Sequence, residues 1–128
     1  MKNPATWFEI YVYDLQRAQT FYETVFNLKL TPLPSPLPHL SMLTFAGDQN
    51  SYGVNGALVR MEGFKPVGNS TLIYFYCQDC AVEESRVVAA GGKIEHSKMP
   101  IGEYGFIAHV VDTECNMIGL HSPSAAHA

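Results

Sequence analysis

At 128 residues and 47% hydrophobic content, the chain can bury one core but is too short for two domains of ordinary size. Eight Lys plus Arg against twelve Asp plus Glu give a formal charge of -4, which offers no basic surface to phosphate-rich partners and argues against nucleic acid. The longest apolar run, residues 72–77, falls far short of the roughly 20 residues that cross a bilayer, and the N-terminus has no signal-like stretch. The expectation is therefore a cytoplasmic protein with a small-molecule partner and no membrane partner.

The first predicted elements lie in "TWFEIYVYDLQRAQTFYETVF", residues 6–26. Alternating large residues predict a strand, Asp14 is a natural N-cap, and Leu15, Ala18, Phe21, Tyr22 and Val25 recur at helical spacing. Three strand candidates follow at 29–32, 40–46 and 54–62. Between the first two, "TPLPSPLPH" holds four of the eight prolines, which excludes a central strand and predicts a stiff loop able to cover a cleft. Residues 63–70, "GFKPVGNS", read as a linker.

From residue 71 the plan repeats. "TLIYFYCQDCAVEESRVVAAGGKI" supplies a strand, Asp79 as the cap, acidic Glu83 and Glu84 in the first turn, and Gly91 and Gly92 as the stop. Strand candidates then fall at 93–97, 104–111 and 117–121. The two aspartates stand about half a chain apart, so the reading is a duplicated βαβββ module: one at 6–62, a second at 71–122, and a tail at 123–128. The fold class expected is α+β.

Side chains alternate across a strand, so parity assigns faces. Phe8, Ile10 and Val12 suit a helix-covered face and leave Trp7, Glu9 and Tyr11 opposite. In the second half Ile73, Phe75 and Cys77 leave Leu72, Tyr74 and Tyr76. The trio Ala57, Val59 and Met61 would leave Gly56, Leu58 and Arg60; Phe106, Ala108 and Val110 leave Ile107 and His109; Ile118 and Leu120 leave Met117, Gly119 and His121. The second face, aromatic and carrying Glu9, Arg60, His109 and His121, has the composition of a ligand pocket.

Cys77, Cys80 and Cys115 are an odd set without a disulfide framework. The CxxC of Cys77 and Cys80 lacks the second pair a structural zinc site wants, and Cys77 ends an apolar run, so both are expected as packed thiols. His39 and His127 lie in the proline-rich loop and the tail and read as solvated. Glu103 and Tyr104 fit a hairpin, or alternatively the end of a pocket.

The strand-Asp-helix stretch "VYDLQRAQTFYETVFNLKL", "AAGGKI", "IGEYGFIAHVVDTECNMIGLHS" and the duplication resemble the vicinal oxygen chelate superfamily, which includes glyoxalase I, bleomycin resistance proteins and extradiol dioxygenases. The resemblance spans nearly the whole chain and implies two βαβββ modules whose sheets curl around a cleft, commonly in a homodimer. Metal-using relatives place a ligand on the first and last strand of each module, and those positions map to Trp7, Leu72, Gly119 and the first-half stretch "VNGALVRM", residues 54–61, which has no acid or histidine. Cys115 falls where relatives commonly have glycine.

The leading expectation is thus a small oxygenated or aromatic ligand bound without the usual metal and with no cofactor. Trp7, Tyr11, Tyr74 and Tyr76 would give stacking contacts, Arg60 a fork of donors for an anionic group, and Glu9, His109 and His121 orientation or proton transfer. Two further readings stay open: a divalent-metal lyase or dioxygenase using Glu9, His109 and His121 as displaced ligands, and a drug-sequestering protein that catalyses nothing. A bland alternative pairs Glu9 with Arg60 and leaves both histidines as hydrogen-bonded walls.

Overall fold

The computed structural model describes residues 1–35, 37–48 and 50–124. Strand β1 (Phe8–Tyr11) leads to helix α1 (Leu15–Phe26) and strands β2 (Thr31–Leu33), β3 (Leu40–Thr44) and β4 (Gly56–Met61). The plan recurs as β5 (Tyr74–Tyr76), α2 (Cys80–Val87), β6 (Lys93–Pro100), a 3-10 turn (Gly102–Tyr104), β7 (Phe106–Val111) and β8 (Met117–Ser122). The strands form two four-stranded sheets, ordered β1-β4-β3-β2 and β5-β8-β7-β6, each with one parallel pair at its first strand. This is the α+β, twice-βαβββ architecture expected.

Both helices start where their caps predict. The Asp14 carboxylate accepts from the Arg17 amide and the Asp79 carboxylate from the Ala81 amide, which satisfies donors left open at a helix start. Helix α1 ends at Asn27 in the left-handed region, φ 53°, with its amide bonded to the Glu23 carbonyl. Its face Ala18, Phe21, Tyr22 and Val25 is buried. Ile10, Leu43 and Leu58 of the first sheet and Ala108, Val110 and Leu120 of the second meet these residues in one core shared by both halves. Aromatic rings span the seam: the centre of the Phe75 ring of β5 lies 4.7 Å from that of Phe26 and 5.4 Å from that of Phe45, tilted against both.

A buried carboxylate also joins the halves. Glu114, in the turn between β7 and β8, accepts from the Tyr13 and Asp14 amides and from two nitrogens of Arg17, so the end of the second module is bolted to the start of α1. Asp112, in the same turn, accepts from the Glu114 and Asn116 amides and from the buried Tyr22 hydroxyl at 2.7 Å. Burial pushes the Tyr22 phenol well above its ordinary value, so it stays a donor.

Several expectations are corrected. The strand expected at 29–32 starts later, at Thr31, and keeps Pro32 but runs on to Leu33 inside the proline-rich segment, which is tolerated because among the described residues β2 is an edge strand paired with β3. The strand expected over 104–111 starts at Phe106, after the turn ending at Gly105, φ 103°. Parity is inverted in β4. Glu9 pairs with Ala57 and Tyr11 with Val59, so Ala57 and Val59 share the face of Glu9, while Gly56, Leu58 and Arg60 lie on the helix side. The cause is visible in the strand: Ala57, Leu58 and Val59 are all fully buried, and a strand buried on both faces carries no alternation to read.

Candidate functional site

Trp7, Glu9 and Tyr11 stand on one face of β1. The Glu9 carboxylate accepts from the Trp7 ring nitrogen at 3.2 Å and from the Tyr11 hydroxyl at 3.0 Å, so both aromatics are fixed by the acid between them. Burial, then the bond to Glu9, raises the Tyr11 phenol and keeps it a donor. These three residues line a cleft of about 550 Å³ between the edge of the first sheet, the linker from Phe64 to Thr71 and the start of β8. Phe64 meets the Tyr11 ring edge-on at 5.3 Å.

The linker is pinned over this cleft. Asn69 donates to the Met117 carbonyl at 2.7 Å and accepts from the Met117 amide, and Tyr13 donates its hydroxyl to the Pro66 carbonyl. Asn116 donates across to the Tyr11 carbonyl at 3.0 Å. None of Phe64, Asn69 and Asn116 is a residue that parity selects, because parity assigns strand faces and these stand in loops. Only the Gly- and Pro-containing "GFKPVGNS" marks the chain as returning past β1.

Tyr74, Tyr76 and His121 line a second, broader cleft of about 1300 Å³, which also takes in Phe8, Phe45 and Tyr52. His121 is bonded through Nε2 to the Tyr104 carbonyl at 2.7 Å; that nitrogen carries the proton and Nδ1 is left as an acceptor. His109 shares the face but lines neither of these two clefts. Its Nε2 meets the Tyr74 hydroxyl at 2.8 Å and its Nδ1 meets Nδ1 of His96 at 3.2 Å.

His96 is a residue the sequence does not reveal. Regular alternation from the core-packed Ile94 would put it on the helix side. A bulge between Ile94 and His96 turns it onto the face of His109, its partner across β6 and β7.

Arg60 is exposed on the opposite face from Glu9, and its Nε donates to the Tyr13 carbonyl at 3.3 Å; the expected ion pair with Glu9 is not formed. Glu9 belongs to the first sheet and His109 and His121 to the second. Among the described residues no three His, Cys, Asp or Glu side chains converge to hold a metal ion, so these three do not assemble within one chain. Cys77 and Cys80 are buried and free; burial, then Glu83, raises the Cys77 thiol far above its ordinary value and leaves it unreactive. Cys115 is exposed. His39 is exposed as expected, and His127 lies outside the described residues.

The family's metal positions do not fit a divalent ion. Trp7 and Leu72 carry no oxygen or imidazole ligand, and Ala57 occupies in β4 the place that Gly119 holds in β8. At Gly119 the space itself is taken: a Cβ there would lie 2.3 Å from Cδ1 and 2.4 Å from Cε1 of Tyr74, so the tyrosine ring lies where a carboxylate side chain would start.

A family model described as "Bleomycin resistance protein-like N-terminal" matches residues 5–37. Solved structures with the same architecture cover nearly all of the chain. The chain has the fold of the vicinal oxygen chelate superfamily. Glyoxalase I from Zea mays aligns at a TM-score of 0.70 and 20% identity over 91% of this chain and 44% of that one. The chain thus spans less than half the length of that relative. An antibiotic binding protein from a Streptomyces species aligns at 0.65 and 21% identity, over 97% of this chain and 99% of that one. A glyoxalase-related enzyme from Fulvimarina pelagi aligns at 0.65 and 15%, over 94% and 88%. No curated protein matches by sequence. At these identities the vicinal oxygen chelate likeness is one of fold, and chemistry has to be argued from the side chains. Among the described residues no helix is long and apolar enough to cross a membrane.

Proposed function

We propose that the protein binds a small aromatic or oxygen-bearing molecule in the cleft beside β1, without the metal chemistry of its metal-using relatives. The observation that carries this reading is the Trp7–Glu9–Tyr11 triad: two aromatic rings held by one carboxylate on the wall of a cleft of ligand size, about 550 Å³. The rings offer stacking area at little entropic cost, because the bonds to Glu9 already fix them. A carboxylate accepts about four hydrogen bonds, and Glu9 has accepted two, so the ligand group it selects is a donor such as a hydroxyl or amine. With Arg60 on the other face, no guanidinium fork is available there for an anion.

Tyr74, Tyr76 and His121 in the broader cleft form a second contact surface, with Nδ1 of His121 left to accept a hydrogen bond from a ligand donor. Sequestration without turnover is supported by the near equal length of the antibiotic binding protein, and by the misfit of the metal positions. A panel of hydroxylated aromatic compounds, followed by melting temperature and by product analysis, tests the proposal. A hit is expected to raise the melting point, to remain chemically unchanged, and to bind at least about tenfold more weakly to Trp7→Ala, the equivalent of 1.4 kcal/mol. Hits that bind Trp7→Ala and Glu9→Gln as tightly as the unaltered protein would sink it.

A further inference from the structure

We infer that His96 and His109 form a two-histidine chelate for a late first-row divalent ion such as Zn²⁺ or Ni²⁺, on strands β6 and β7. The inference goes beyond the ligand cleft and stands whatever that cleft binds, since neither histidine lines it. It also uses neither the first nor the last strand of a module, where metal-using relatives carry their ligands.

Three features of the pair point this way. The first is the bite. Zinc holds imidazole nitrogen at about 2.0–2.1 Å, and a tetrahedral angle between two such bonds separates the nitrogens by about 3.3 Å. His96 Nδ1 and His109 Nδ1 lie 3.2 Å apart with their rings crossed at 76°. Without a metal one of them must carry a proton and donate to the other; an ion takes the place of that shared proton. Imidazole nitrogen suits zinc, nickel and copper better than the oxygen-seeking calcium or magnesium.

The second feature is the outer partner of His109. A histidine that ligates through one nitrogen is oriented through the other, and Nε2 of His109 meets the Tyr74 hydroxyl at 2.8 Å. With the proton on Nε2, the lone pair of Nδ1 is aimed at His96. Tyr74 in turn is seated over Gly119, the partner of His109 across β7 and β8.

The third is the backbone. The register of β6 against β7 shifts between Ile94 and His96 and again between His96 and Met99, so this pair is in step while the ladder on each side of it is broken. Such irregularities cost ladder hydrogen bonds and re-aim a side chain. Here they bring His96 to the face of His109. His96 is exposed, so water can complete the coordination.

The test is a titration of chelator-treated protein with Zn²⁺ by calorimetry, alongside ring-nitrogen chemical shifts by NMR. One ion per chain is expected, with the Nδ1 resonances of both histidines moving and the Nε2 resonances moving less. His96→Asn and His109→Asn should each weaken binding at least about tenfold, and a chain with His39→Asn and His127→Asn should bind as before. His96 is exposed, so its replacement does not threaten the fold. Absence of binding, coordination through Nε2, or an affinity unchanged in His96→Asn overturns the inference. Failure of the aromatic panel with retained zinc binding would remove the ligand reading alone.

Discussion

Glu9, Ala57, Thr44 and Thr31 cross the first sheet as one row, and Tyr74, Gly119, His109 and His96 cross the second as its counterpart. The next rows correspond as well: Tyr11, Val59, Met42 and Leu33 against Tyr76, His121, Ile107 and Met99. The same backbone thus carries two unlike faces. In the first sheet Met42, Ala57 and Val59 form an apolar cluster with Tyr11 and Leu33. In the second, Tyr74, His109 and His96 bond to one another and His121 to the backbone. Pairing is set by the main chain, so a duplicated fold can hold one face for apolar contact while the other turns polar.

The loops joining the last two strands differ as much. In the first module the chain from Phe45 to Asn55 is long and exposes Tyr52. In the second the turn is five residues, and its acids Asp112 and Glu114 are buried. The largest effect expected of any substitution lies here. Glu114→Ala would strip partners from two backbone amides and from Arg17 at once, a loss of about 3–5 kcal/mol that urea unfolding would register.

The same acid sets a pH dependence. Burial raises the Glu114 carboxyl, but Arg17, the Asp14 amide and Thr113 outweigh it, and the group ends below its ordinary value of 4.5. A depressed acid stabilises the fold above its unfolded value and loses that contribution as pH falls through the folded one. Asp112 is raised, chiefly by burial, and acts in the opposite sense, contributing most below its ordinary 3.8 and less as pH rises. Stability should therefore decline on acidification below pH 4.5, and Glu114→Gln should flatten that limb. Parallel curves for the two proteins would show that the charge is not the anchor.

The next effect tests the row comparison directly. Ala57 already carries a Cβ in the first sheet, but Gly119 in the second lies under the Tyr74 ring. Gly119→Ala should cost about 1–3 kcal/mol by overpacking. Tyr74→Ala in the same chain should return part of it, with a coupling of about 0.5–3 kcal/mol in a double-mutant cycle. Additive losses would mean that the ring moves aside freely and that Gly119 is not held small by Tyr74.

What could be read in advance follows from where the physics is local. The caps Asp14 and Asp79, the helical face of α1 and the strand plan depend on neighbours in sequence, and they are visible there. The polar face of the second sheet is visible too, because Ala108 and Val110 are buried and His109 between them is not. Parity puts Arg60 on the wrong face because β4 is covered on both sides. His96 was hidden by a bulge, which leaves no mark in the alternation of a strand such as "KIEHSKMP" that is exposed along most of its length. The Glu114 anchor depends on a helix about a hundred residues away in sequence, and no local pattern records it.

The smallest effect belongs to Cys115, in the same turn as Glu114. Its φ of 69° lies in the left-handed region, where a side chain crowds the following carbonyl at a cost of about 1–2 kcal/mol that glycine does not incur. The Cys115 amide donates back to the Asp112 carbonyl at 3.4 Å and the Asp112 amide donates to the Asn116 carbonyl at 2.8 Å, so the turn cannot relax by moving Cys115 elsewhere in φ. Glycine would add backbone freedom to the unfolded chain, which takes back part of the gain. Cys115→Gly should therefore stabilise by about 0.5–1 kcal/mol, the remainder of those two opposing terms. The thiol is exposed, so its loss removes no core packing. Cys115→Ala separates the causes: it deletes the sulfur but keeps the Cβ, and it should leave the urea midpoint where it was. A gain in the alanine variant equal to that in the glycine variant would assign the effect to the thiol and not to the backbone.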